Sequence, residues 1–291
     1  MNAAAQVEYE SGVRVKYGGV AFLAALLLVA SQLVLLTGSH ASVTESTVGL
    51  LNVNNNAAAY VIGIVAETLG FFSLAVALGW MFKISRARKP GITPIWAWVA
   101  VGGAVIAGVM IALYFALLVT KAHTFATTGN EGFPEADKLL TGGLIRISQI
   151  LSLFGDLLLA VGCMFVSLNA MRVGLFTKPI GYAGVIAGAL FIFQIPVLAP
   201  LIEALWLTAV AMTFAARWPK GDLPAWERGE AVPWPASGRL PPGPAEQRSR
   251  PSRAERRKVS DKDVLAAVDQ TNGNGTPSPS TAAGKRKRKR K

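Results

Sequence analysis

With 291 residues, 52% of them hydrophobic and only 16% charged, and a mean hydropathy of +0.41, the chain lacks the polar surface a water-soluble domain of this size needs. The formal net charge of +12 is concentrated: 17 Lys and Arg against 8 Asp and Glu lie from Trp218 onward, 12 against 9 before it. The single cysteine, Cys163, sits in an apolar stretch; it excludes an intrachain disulfide and is expected to pack as a small apolar side chain.

Six apolar segments meet or approach the ~17–25 residues that a membrane-spanning helix needs. They cover 18–37, 57–82, 94–120, 144–170, 180–195 and 201–216. The last two are short and meet through a turn at 196–200. Reading 180–217 as one interrupted span would put the basic tail opposite the other basic loops, so two spans are expected. The prediction is an all-α polytopic membrane bundle of six transmembrane helices, with residues 1–17 as a cytoplasmic N-terminus and 18–217 as the membrane domain.

Orientation follows from Lys and Arg in the short loops. Arg14 and Lys16, then Lys83, Arg86, Arg88 and Lys89, then Arg172 and Lys178 fall on one side. The other side receives none in 38–56, and only Lys121 and Lys138 in the third loop. Both termini are therefore expected in the cytoplasm. Ser39-His40-Ala41 follows a basic flank and an apolar run, as a signal-peptide cleavage site would. The run is longer than a usual signal core, and Glu8 and Glu10 precede it, so a retained first span is expected.

From Trp218 the material changes. The stretch WPKGDLPAWERGEAVPWPASGRLPPGP is rich in Pro and Gly, and 218–291 is expected to be a disordered cytoplasmic tail. A short helix is possible at 260–270, capped by Ser260 with Asp263 three residues on. The chain ends in seven basic residues: Lys285, Arg286, Lys287, Arg288, Lys289, Arg290 and Lys291. Beside a membrane, anionic lipid headgroups or an acidic cytoplasmic partner are the expected contacts of this run, each basic residue near the surface contributing ~1 kcal/mol. Nucleic acid is not expected, because no aromatic or folded recognition module accompanies the run. The oligomeric state is left open.

In lipid, helices associate through small residues that let backbones approach. The third span carries Ala100, Ala104, Gly108, Ala112 and Ala116 at every fourth position. The fifth carries Gly181, Gly184 and Gly188, and the second Gly63, Gly70 and Ala77 on roughly the face of Glu67. Ordinary helix packing accounts for all three sets.

Ionisable side chains inside spans carry the functional signal, because an unsolvated charge there costs ~2.5–3.5 kcal/mol on insertion scales. In the fourth span Arg146, Gln149, Leu153, Asp156, Cys163 and Ser167 fall on one side at about 100° per residue. Arg146 and Asp156 are ten residues, ~15 Å, apart and cannot pair within the helix. Arg146 and Glu203 both lie near the outer boundary. They are read as a cross-helix gate pair, with Gln32 and Gln194 at similar depth; the alternative is that Arg146 snorkels to outer headgroups. Glu67 lies ~15 Å and Asp156 ~20 Å down their spans, at a depth where no Lys or Arg is found. Three acids against one base leave surplus negative charge in low dielectric, which calls for a proton, a bound cation or a neutral hydrogen-bonded state.

The sequence holds no zinc-spaced His or Cys cluster, no nucleophile elbow and no phosphate-binding loop. His40 and His123 are the only histidines. His123 with Glu131, Glu135 and Asp137 could bind a metal, but a solvated loop is the simpler reading; no metal or cofactor is expected.

The second-span stretch VAETLGFFSLAVALGWMF, the sixth-span stretch PLIEALWLTAVAMTF and the connecting MRVGLFTKPIGYAGVIAGAL together resemble a family of bacterial six-helix membrane proteins known only as a domain of unknown function. The resemblance covers 18–217. It implies a bacterial plasma-membrane protein and marks Glu67 and Glu203 as recurring positions without assigned chemistry. The Ala/Gly ladder of the third span departs from the polar residues the family leads one to expect there. The leading expectation is binding or translocation of a small cation or polar solute in an outward-facing pocket of spans two, four and six. The rivals are a non-catalytic scaffold that presents the basic tail, and an intramembrane enzyme using Asp156 and Glu67.

Overall fold

A computed structural model describes residues 3–38, 46–128, 132–193, 195, 198–218 and 222–234. They form helices α1 (Ala3–Gly38), α2 (Ser46–Asn55), α3 (Ala57–Arg88), α4 (Ile95–Thr128), α5 (Phe133–Thr141), α6 (Gly143–Arg172), α7 (Lys178–Ile192), α8 (Leu198–Phe214) and α9 (Pro224–Arg228). The predicted helix at 260–270, the basic run 285–291, His40, Glu131 and Gln194 lie outside the described residues.

Four helices, α1, α3, α4 and α6, are long and apolar enough to cross a membrane. Their outward positions are themselves apolar. Leu23, Leu26, Ile62, Val65, Val76, Val105, Ile150 and Leu157 are all exposed, the pattern of a surface solvated by lipid tails rather than water. Trp98 and Tyr182, exposed near the starts of α4 and α7, suit a membrane–water interface. The molecule is an all-α polytopic membrane bundle.

The helices α7 and α8, of 15 and 17 residues, reach only ~22 and ~25 Å, less than the ~30 Å of a hydrocarbon core. They form an antiparallel hairpin. The Thr177 side chain caps α7 directly after Phe176, whose carbonyl accepts from Trp234, and Thr213 near the end of α8 returns to accept from Arg14. Since α8 comes back to the end at which α7 began, 180–217 is not one interrupted span.

Small residues bring the long helices together, as expected, but on different faces than a strict fourfold repeat suggests. A step of four residues turns ~400°, so the ladder drifts ~40° per step and ~160° over its length. Ala100, Ala104 and Gly108 are buried, while Ala116 is exposed. The contact with α6 instead uses Ala100, Gly103 and Ala107, steps of three and four that keep one face. Here a β-carbon on Gly103 would strike the Leu158–Leu159 backbone, and one on Gly162 the backbone of Ala100. Against α6, Gly181, Gly184 and Gly188 of α7 meet Met171, Ser167 and Met164 in turn, while Gly63 and Gly70 of α3 receive Leu35 and Leu28 of α1.

Residues 222–234 correct the predicted start of the disordered tail at Trp218. Leu223, Ala225 and Trp226 are buried against the bundle. The left-handed Gly229 (φ 65°) ends α9, and Gly174 (φ 83°) makes the turn after α6 where Val232 donates its N–H to the Val173 carbonyl. Composition argued for disorder because Pro and Gly dominate. Three tryptophans, Trp218, Trp226 and Trp234, supplied the apolar area that composition understated.

This segment closes one end of the bundle. Arg88 is bidentate to Glu10 through two 2.6 Å bonds and donates to the carbonyl of Ala225, with essentially no exposure of either charged group. Arg14 is bidentate to Asp222 at 2.7 and 2.9 Å and stacks 3.9 Å over Trp226. Trp226 Nε1 donates to Leu175 O at 3.1 Å. Tyr17, Trp80 and Phe214 fill the space beneath. From Ala3 the N-terminal stretch is the start of α1, and Glu10 and Arg14 bind it into this clasp.

At the opposite end α2 and α5, neither of them expected, cover the ends of α3, α4 and α6 through Leu50, Val53, Tyr60, Phe125, Ala136 and Ile145. The α5 signal was present in the chain: Pro134 and Glu135 in the first turn, Lys138 in the last.

Candidate functional site

The α6–α7 register locates the site. Gly181 lies opposite Met171, Gly184 opposite Ser167, and Gly188 opposite Met164 and Ala160. One more turn brings Leu190 and Phe191 level with Asp156, and there α7 ends. The long helices continue toward the opposite end for several more turns. The short hairpin therefore leaves a recess at mid-bundle.

That recess is a cavity of about 230 Å³ lined by Gln32 of α1, Glu67 and Phe71 of α3, Ile111 of α4, Asp156 of α6, Glu203 of α8 and the hairpin tip, including Phe191, Ile195 and Ala199. Glu67, Asp156 and Glu203 converge on it from three helices, and no Lys or Arg is among its lining residues. Asp156 and Glu203 are each 6% exposed. The Oε2 atom of Glu67 is fully buried with no hydrogen-bond partner. The carboxylates lie close enough for Glu67 and Glu203 to feel Asp156 electrostatically, and for Glu203 to feel Glu67.

Each acid is placed by its helix. Glu67 is one turn from Gly70, whose contact with Leu28 fixes α3 against α1, and Gln32 lies one turn beyond Leu28. Asp156 follows Gly155, which presses on the backbone of Ala107 in α4. Glu203 is one turn before Trp206, buried against Gly184 of α7. The small-residue contacts that set the packing also aim the carboxyl groups.

Arg146 and Gln149 lie elsewhere. They border a second cavity of about 410 Å³ with Tyr114, Ser152 and Leu153, which shares only Ile111 and Asp156 with the first. Arg146 is exposed in the first turn of α6. Among the described residues the ion pairs are Arg14–Asp222 and Arg88–Glu10, so the expected gate pair of Arg146 with Glu203 does not form. The single polar stripe expected on α6 divides for the same reason. Asp156, Cys163 and Ser167 are buried, but Leu153 is 60% exposed and Arg146 faces outward, because α7 stops at the level of Asp156. Cys163 packs as expected, fully buried with Sγ 3.7 Å from the Gly184 carbonyl oxygen.

Among the described residues no group of three His, Cys, Asp or Glu is spaced to hold a metal ion. Sequence reasoning grouped Glu67, Asp156 and Glu203 with Arg146 and Gln149, Glu203 as part of an outer gate pair, and missed the wall supplied by Leu28, Phe71, Ile111 and Phe191. Apolar residues in a span carry no mark of whether they face lipid or a cavity.

No curated protein and no solved structure matches the chain. Comparison with protein families matches residues 17–218, from within α1 to just beyond α8, to one described as a domain of unknown function, DUF4386. By that match the chain belongs to the DUF4386 family.

Proposed function

We propose that the protein crosses the bacterial plasma membrane six times, with both termini in the cytoplasm, and binds or translocates a small cation or polar solute through the mid-bundle cavity. The observation that carries this reading is the convergence of Glu67, Asp156 and Glu203 on one cavity whose lining has no basic side chain. Three helices each place a costly group at the same point, and a positively charged or strongly polar guest would offset the cost. The orientation rests on the Lys and Arg bias of the loops. With α1 starting at the clasp and α8 returning to it, the cavity would face outward.

Thermal stability of the purified full-length protein in detergent tests the reading. A guest that binds only the folded state stabilises it by ~2.7 kcal/mol at a hundred times its Kd. Across a panel of salts and small polar solutes, at least one should raise the melting temperature of wild type and lose that effect in Glu67→Gln and Asp156→Asn. An identical response in all three proteins would end the proposal.

A scaffold role is the second reading, and the 222–234 segment favours it. The Arg14–Asp222 pair, the Arg88 bond to the Ala225 carbonyl and the buried Trp226 anchor the chain about 50 residues before the basic run of Lys285, Arg286, Lys287, Arg288, Lys289, Arg290 and Lys291. Truncation after Trp234 keeps the clasp and removes the run. A scaffold would then lose binding to vesicles containing anionic lipid or to an acidic partner, while solute-dependent stability would be unchanged.

A further inference from the structure

We infer that the guest of the cavity is a small organic ammonium ion, an aliphatic amine in its protonated form, rather than a metal ion. This rests on the cavity being a binding site, as proposed above.

Charge sets the first constraint. Three carboxyl groups and one carboxamide line the cavity, and no Lys or Arg is among its lining residues. Glu67 lines the cavity, and its Oε2 is buried beside it with no hydrogen-bond partner, a polar atom left uncompensated.

Spacing sets the second. A Ca²⁺ or Mg²⁺ ion needs six or more oxygens converging at about 2.0–2.6 Å. Among the described residues no three acidic, His or Cys side chains come together in that way, although three acids line the cavity. The carboxylates instead reach the space from three different helices. An ammonium group with its three N–H donors can address acceptors spread in this fashion, and a second ammonium could use the remaining carboxylate.

The wall sets the third. Leu28, Phe71, Ile111, Leu190 and Phe191 line the cavity beside the polar groups. A hydrated inorganic ion gains nothing from them, whereas an alkyl body does. Phe71 and Phe191, with ring centroids 6.3 Å apart and tilted by 46°, offer aromatic faces beside the carboxylates, a setting that favours cations with an organic surface. The volume of about 230 Å³ exceeds the roughly 150 Å³ that admits benzene, so a chain of four to six carbons has room.

The experiment measures melting temperature of the full-length protein in detergent at fixed ionic strength with n-butylammonium, 1,4-diammoniobutane, Na⁺, K⁺, Mg²⁺, Ca²⁺ and neutral 1-butanol. At least one of the two amines should raise it, saturably and more than any inorganic cation or butanol. The shift should be at least halved in Glu67→Gln and in Asp156→Asn, so that one well-folded variant suffices. Stabilisation by an inorganic cation alone, lost in those variants, would overturn the ammonium assignment and keep the site. Equal effects of butanol and butylammonium would overturn it by showing that charge is not read. No shift with any of these probes would overturn it as well, and the broader binding proposal would fall with it if the wider solute panel were also silent.

Discussion

The two charged regions of this bundle are built on opposite rules. At the clasp the acids that tie the elements together each meet a guanidinium: Glu10 meets Arg88 and Asp222 meets Arg14, with Trp226 between the two arginines. In the cavity Glu67, Asp156 and Glu203 come together with no basic residue in the lining. A buried, well-aligned ion pair offsets its own desolvation and is costly to break one-sidedly, whereas surplus charge of one sign has nothing in the protein to offset it. The clasp therefore reads as architecture and the cavity as function, and substitutions can separate the two.

The largest effect is expected at the clasp. In Glu10→Ala the Arg88 guanidinium stays buried without its carboxylate, which should cost about 3–5 kcal/mol. Denaturation in detergent should show a large fall in melting temperature, and Glu10→Ala with Arg88→Met should recover much of it. Trp226→Ala removes a buried indole and the platform of both arginines, for a loss of about 3–5 kcal/mol in the same assay.

A smaller loss tests the packing that aims the cavity. In Gly162→Ala a methyl group enters the α4–α6 contact against Ala100, and the strain should cost about 1–3 kcal/mol. In the cavity itself the sign should change. Glu67→Gln removes an ionisable group from a cavity with no basic lining residue, so stability without ligand should hold or rise by up to about 1 kcal/mol. A fall as large as that of Glu10→Ala would mean that Glu67 is structural, and the contrast between the two regions would collapse. The smallest effect belongs to Arg146→Gln, an exposed position outside the first cavity, where stability should stay within about 0.5 kcal/mol and any solute response should persist.

Some of the positively charged loop residues served two purposes that the chain alone does not separate. Arg14 and Arg88 counted toward orientation as loop charges, yet both are buried, and their geometry is that of structural ion pairs. The reverse holds for Arg146. Its place near the outer end of an apolar run left open an outer gate pair with Glu203 or a side chain reaching the headgroups, and its exposure in the first turn of α6 fits the second.

What the sequence determined by itself is set by the solvent. Lipid demands long apolar helices and makes every intramembrane charge conspicuous, so the membrane bundle, the small-residue contacts and the three acids were legible before any coordinates. Only the tertiary structure decided that the α7–α8 hairpin stops at the level of Asp156, that the acids consequently share a cavity while Arg146 does not, and that 222–234 closes the end of the bundle. The reason is physical. Helix lengths and residue types are local properties, whereas a cavity is the space between elements, and its existence depends on where a short element ends against a long one.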